Sequence, residues 1–315
     1  MPPVAAHVGA IPIAAVVVGC GGIPEQPAVT PSRLSCATDP SSFDLAGRPV
    51  GGLSLPAIGT AEVNAAQNGT EAFVRLRSFV VPSQVLRVVL LGRGAFDRGG
   101  VCGHANLRGG SEFGEAWHRA GMLDRKQNVL DDMAAVAQDV VSRRIASPQR
   151  LAVMGASDGG LLAAAMVEHQ PSLFPVAVAR VPLTDMLRYQ DFLLGRLWMP
   201  EYGSSADAHM FLVLLAYSPY HNVKSGVRYP DVLLTAADSD GRVDPMHTCK
   251  LAAALQRATA SDAPVLPRVE TRAGHGSGKA IGKQVGEYAD MFGFVMSELG
   301  MLETPAGGAD AAQPR

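Results

Sequence analysis

From about Gly92 onward the chain alternates short apolar runs with longer amphipathic ones. Between residues 129 and 141, apolar side chains fall at Val129, Leu130, Met133, Val136, Ala137 and Val140, a helical spacing that predicts one buried stripe. The runs at 151–154, 176–181 and 232–236 are short, continuous and apolar, the pattern of strands buried on both faces. Helical patterns follow at 161–167, near 247–258 and at 281–299, and a further strand is predicted at 269–272. Strands alternating with helices imply an α/β class, a mostly parallel sheet covered by helices on both faces. In such sheets the chemistry sits on loops past the carboxyl ends of the strands.

Upstream, residues 72–81 partly alternate apolar with polar and 85–91 form an apolar run, which together read as two or three strands. Residues 1–45 and 303–315 are rich in Pro, Ala, Gly and Ser with little periodicity, so they are expected to be a leader or disordered segment and a disordered tail. That leaves 46–87 as a short β segment and 88–302 as the main domain. The apolar stretch 10–19 followed by Cys20 has the length of a secretory core ending in a lipid-attachment cysteine, whereas the absence of Lys and Arg from the first nine residues argues against it. The stretch is too short to span a bilayer. Cytoplasmic residence is the expectation, with export or anchoring through Cys20 as the alternative.

With 47% apolar and 18% charged residues over 315 positions, the chain has ample material for a buried core. Lys and Arg (27) nearly balance Asp and Glu (29), and no basic stripe carries interleaved aromatics, so nucleic acid is excluded as the expected partner. Cys20, Cys36, Cys102 and Cys249 are scattered, without the close Cys/His pairs of a zinc site. Neither a metal nor a cofactor is expected.

The stretch Gly155-Ala156-Ser157-Asp158-Gly159-Gly160 directly follows the apolar run 151–154 and precedes a helical pattern. A serine between glycines at a strand-to-helix junction has the form of a nucleophile elbow, where a sharp turn lifts the hydroxyl clear of the sheet. So tight a turn gives Gly155 and Gly159 a steric reason to be glycine. Ser157 is then the candidate nucleophile and the Asp158 backbone N–H a natural oxyanion donor. A serine nucleophile needs a base and a carboxylate that orients it, and both follow in the order serine, acid, histidine. The strand at 231–236 runs into a loop with Asp238 and Asp240, and the next predicted strand runs into Gly274-His275-Gly276. Among eight histidines, His275 is favoured by its flanking glycines; for the acid, Asp238 and Asp240 compete, with Asp244 a distant third.

These segments resemble the catalytic domain of the prolyl oligopeptidase family of serine peptidases, an α/β-hydrolase fold. The similarity runs from about Asn106 to Met301 through Asn106-Leu107-Arg108-Gly109-Gly110-Ser111, Lys126-Gln127-Asn128, the elbow, Thr184-Asp185-Met186-Leu187, residues 198–203, Tyr217-Ser218-Pro219-Tyr220 and Ala273-Gly274-His275-Gly276. The resemblance implies Ser157 as nucleophile, His275 as base and Asp240 as acid, because the family's acid stands two residues before an arginine, here Arg242. It further implies that Arg242 holds a substrate carbonyl and that Trp198, Tyr202, Val243 and Leu183 pack a proline ring. The implied reaction is hydrolysis of peptide bonds after proline through an acyl-enzyme, on peptide or small acyl substrates.

The chain also departs from the family pattern. Family members carry a large β-propeller, for which the residues before the hydrolase-like part are too few; 46–87 resembles only its last blade. The expected consequence is an open-access peptidase or small-ester hydrolase, or a catalytically impaired remnant. Residues 92–96 resemble the segment that supplies an oxyanion-binding tyrosine and a pocket phenylalanine; Phe96 is retained, but Arg93 stands in the tyrosine position. The family's opening strands are expected to be incomplete, which leaves an edge that a homo-oligomer would cover. Asp158 replaces the usual asparagine and puts a carboxylate beside the nucleophile.

Overall fold

The computed structural model describes residues 100–301, apart from 112, 277 and 278, together with short strands between 15 and 86. Strand β1 is Ala15–Cys20. Next come two small antiparallel sheets, β2 (Arg33–Leu34), β3 (Ser41–Phe43) and β4 (Pro49–Gly52), then β5 (Thr60–Ala65), β6 (Ala72–Arg77) and β7 (Gln84–Leu86). The main sheet continues with β8 (Gly100–Ala105), β9 (Leu151–Ala156), β10 (Val176–Arg180), β11 (Asp231–Ala237) and β12 (Val265–Glu270). Its helices are α1 (Glu115–Arg119), α2 (Gln127–Ser142), α3 (Asp158–His169), α4 (Met199–Tyr202), α5 (Ala208–Tyr217), α6 (Met246–Ala258) and α7 (Ile281–Glu298).

The six-stranded sheet has the order β12-β11-β10-β9-β1-β8. Neighbours from β9 to β12 are parallel, while β1 runs antiparallel to both β9 and β8. Because successive strand side chains point to opposite faces, the apolar runs feed two cores. Val153, Ala177, Ala179, Val232 and Leu234 join one core with Val129, Leu130 and Met133 of α2, Leu161 to Val167 of α3, and Leu251 and Leu255 of α6. Ala152, Met154, Val176, Val178 and Leu233 join the other with Met291, Val295 and Met296 of α7. The parallel sheet covered on both faces is therefore as the periodicity predicts, and its continuous apolar strands have this cause.

One predicted strand is shifted, and a segment read as a leader adds a strand to the sheet. Within the stretch read as a leader, residues Ala15–Cys20 form a strand inserted between β8 and β9, with Cys20 opposite Gly100. The β-branched run Val16-Val17-Val18 suits a pleated surface as well as it suits a secretory core. The strand predicted at 269–272 lies earlier, at Val265–Glu270, and contains Pro267. β12 is at the edge of the sheet, where a residue without a backbone N–H is tolerated. The strand expected near 88–91 lies outside the described residues. Among the described residues no helix is long and apolar enough to cross a membrane.

Candidate active site

Ser157 stands between β9 and α3 with φ 58° and ψ −115°, a strained conformation for a residue with a side chain. The neighbouring glycines are forced. A Cβ on Gly155 would meet the Gly159 carbonyl oxygen at 2.0 Å, and one on Gly160 would meet the Arg180 oxygen at 2.7 Å. The steric demand expected at Gly155 is thus present, with the Gly159 backbone as the obstacle, and Gly160 carries a further one. The turn is pinned by the Ser157 N–H, which donates to the Arg180 carbonyl at 2.9 Å. Leu161 N–H to Ser157 O, at 2.9 Å, is the first bond of the helix, so the Asp158 N–H belongs to the first turn that lacks helical acceptors. That N–H can serve an anion.

Three residues past β11, Asp240 is buried and divides its carboxylate between two tasks. Oδ2 pairs with His275 Nδ1 at 2.7 Å, while Oδ1 accepts the backbone N–H groups of Arg242 at 2.8 Å and Val243 at 2.9 Å. Burial works to raise the Asp240 carboxyl, but the bonds from His275, Val243 and Arg242 outweigh it and hold the group below the usual aspartate range. Asp238 is exposed and bonds within its own loop and to Ala273 N, and Asp244 caps Met246 N. Geometry therefore separates the competing acids in favour of Asp240. His275 follows β12, so Ser157, Asp240 and His275 all leave the carboxyl ends of parallel strands. Among the described residues Ser157 Oγ makes no hydrogen bond to His275, whose ring is held by Asp240; contacts between nucleophile and base commonly tighten only with substrate bound.

The residues assigned to substrate lie nearby in part. The Arg242 guanidinium sits 5.9 Å from the Trp198 ring centre, and the Arg242 side chain is exposed while Trp198, Leu183 and Val243 are buried in the adjoining core. Tyr202 is 0% exposed, and its hydroxyl donates to Asp158 Oδ1 at 2.6 Å, so in this structure it supports the turn from within. Arg93 and Phe96 lie outside the described residues.

Asp158, read as a carboxylate beside the nucleophile, is engaged in a buried ionic group that sequence reasoning missed. Lys126 Nζ lies 3.2 Å from Asp158 Oδ1 and 3.2 Å from Glu201 Oε1, and Glu201 Oε2 pairs with His118 Nε2 at 2.7 Å. Lys126, Asp158 and Glu201 are all buried. The signal in the sequence was limited to Lys126 and the 198–203 segment lying in conspicuous stretches; nothing in their spacing says that they meet. His247 is buried, and its Nδ1 accepts the N–H groups of Thr184 and Asp185 at 3.2 and 3.0 Å.

A family model described as the prolyl oligopeptidase family matches residues 87–302. A prolyl endopeptidase of Elizabethkingia miricola is 41% identical over 206 residues, which is 65% of this chain and 29% of that protein. Prolyl oligopeptidase A of Galerina marginata is 41% identical over 199 residues, 62% of this chain and 27% of the relative. The chain thus spans under a third of the length of the curated relatives it matches. Among solved structures, one from a study of two prolyl endopeptidases superposes with a TM-score of 0.66 at 30% identity, covering 89% of this chain and 54% of the other. Oligopeptidase B from Leishmania major gives a TM-score of 0.66 at 25% identity, covering 85% of this chain and 42% of the other.

Proposed function

The chain belongs to the prolyl oligopeptidase family, and from that premise we propose that it is a serine peptidase that cleaves after proline, with Ser157 as nucleophile, His275 as base and Asp240 as orienting acid. The observation that carries this reading is the His275–Asp240 pair at 2.7 Å, made by loops that leave the same ends of the strands as the Ser157 turn.

In the first step Ser157 Oγ attacks the substrate carbonyl while His275 Nε2 takes the hydroxyl proton; Asp240 fixes the tautomer through Nδ1–H and stabilises the imidazolium. The Asp158 N–H faces the charge that develops on the carbonyl oxygen. His275 then gives its proton to the leaving amine, and water activated by the same imidazole hydrolyses the acyl-enzyme. Preference for proline is supported by the exposed Arg242 guanidinium beside Trp198, a donor next to an aromatic face on which an imino ring can pack. The names of the relatives point the same way.

A fluorophosphonate probe, which labels only a serine activated by its neighbours, tests the chemistry. Labelling of the wild type and none of Ser157→Ala is expected; well-folded wild type that takes no label would exclude the assignment. Substrate preference is a separate measurement. A peptidyl-proline p-nitroanilide should be cleaved faster than its alanine counterpart, and equal rates would remove the proline specificity while leaving the hydrolase.

A further inference from the structure

One buried carboxylate gathers the elements that feed all three proposed catalytic groups. Glu287, on α7, is 1% exposed. Its Oε1 accepts from Arg180 Nε at 2.8 Å and from Thr235 Oγ1 at 3.4 Å, and its Oε2 accepts from Arg180 Nη2 at 3.1 Å and Lys279 Nζ at 2.6 Å. Each donor belongs to a different part of the site. Arg180 ends β10, and its carbonyl is the acceptor that pins the Ser157 N–H. Thr235 lies in β11, the strand that runs into Asp240. Lys279 follows His275 by four positions and is itself buried. Between them, a Cβ built on Gly276 would stand 3.7 Å from Arg180 Nη2, so the residue next to His275 already lies against the same guanidinium.

Resting on the serine-hydrolase reading above, we infer that Glu287 is a positioning residue for the reaction: through Lys279 and Arg180 it fixes the His275 loop against the Ser157 turn. The physical case is the charge arrangement. The buried Lys279 and the part-buried Arg180 converge on one buried anion, and removing Glu287 would leave both cations without their counter-charge, whereas removing Lys279 leaves the Arg180–Glu287 pair in place. Lys279 is the member whose departure would take the His275 loop with it. Arg180 is held additionally by the Tyr288 ring, 5.5 Å from its guanidinium carbon, so the β10 end is the firmer side of the tie.

The test measures the rate of fluorophosphonate labelling per folded molecule, together with kcat and KM on the proline p-nitroanilide, in the full chain. Lys279→Met keeps the Arg180–Glu287 pair and releases the loop. Glu287→Asp keeps every charge and withdraws the carboxylate by one methylene. A displacement of the base by about 1 Å costs on the order of 100-fold in rate. Lys279→Met is therefore expected to lose at least about tenfold in labelling and kcat with KM within about twofold, Glu287→Asp to lose less, and Lys279→Arg to recover most of the rate. A role confined to stability would lower the melting temperature and leave the rate per folded molecule unchanged. Folded Lys279→Met labelled within about twofold of wild type overturns the inference alone; wild type that takes no label overturns both the serine-hydrolase reading and this inference.

Discussion

Asp240 shows at the residue scale what spacing can and cannot give. The loop after β11 offers two aspartates two positions apart, which strand and loop patterns treat alike and which only the resemblance, through the spacing to Arg242, separates. Burial tells them apart, because only the enclosed one turns its carboxylate to His275 and the Arg242–Val243 backbone. Asp240→Asn keeps the shape but reverses a hydrogen-bond role, so the imidazole is held in the wrong tautomer. A fall in kcat of about 10⁴ is expected from steady-state kinetics, against a small effect for Asp238→Asn. Glu287 supplies a second prediction. Burial alone would raise its carboxyl, but the bonds from Arg180 and Lys279 prevail and hold it at about 2. A carboxyl so depressed contributes stability that is complete above its unfolded value near 4.5 and is lost as pH falls toward 2. The stability difference between wild type and Glu287→Gln, read from urea unfolding, should therefore shrink by about 3 kcal/mol across that window.

At the scale of elements, the β9–α3 junction is legible because its geometry demands particular small residues. A methyl on Gly155 would have to displace the Gly159 backbone, not a flexible side chain. Gly155→Ala should cost more than the usual 1 to 3 kcal/mol of an overpacked core, roughly enough to abolish the thermal transition in circular dichroism. The support beneath the turn was illegible. Lys126 opens α2, Asp158 opens α3 and Glu201 lies in α4, and only packing of those helices brings the charges together. Lys126→Met leaves two carboxylates buried without their cation and should cost about 3 to 5 kcal/mol in denaturant unfolding. Adding Asp158→Asn to that variant should return part of the loss, and no recovery would show that the pair is not coupled.

For the whole molecule, the ionisable groups in the core set the response to acid. His247 is buried and pushed down to about 4, so its contribution is complete above about 6.5 and is lost as pH falls to 4. Asp231, pushed up to about 6 by burial, has the opposite sign: its charged form is a cost at neutral pH that disappears on acidification. Glu168, both of whose oxygens are buried without partners among the described residues, adds to the side of Asp231. Stability measured by denaturant unfolding should therefore hold or rise from pH 7 to about 4.5 and fall steeply below about 4 as Glu287 protonates. A pronounced loss between pH 7 and 5 would show that His247 dominates. By itself the sequence determined the parallel sheet, the helices on both faces, the elbow and the order of serine, acid and histidine, because periodicity and tight turns are local and their physics is written in neighbouring residues. Only the tertiary structure decided that Asp240 divides its carboxylate between His275 and the Arg242–Val243 backbone, that Tyr202 lies sealed behind the turn, and that Arg180 meets Glu287 across 107 positions of chain. Such contacts are made by strand ends and helices that converge after folding, and no spacing along the chain encodes them.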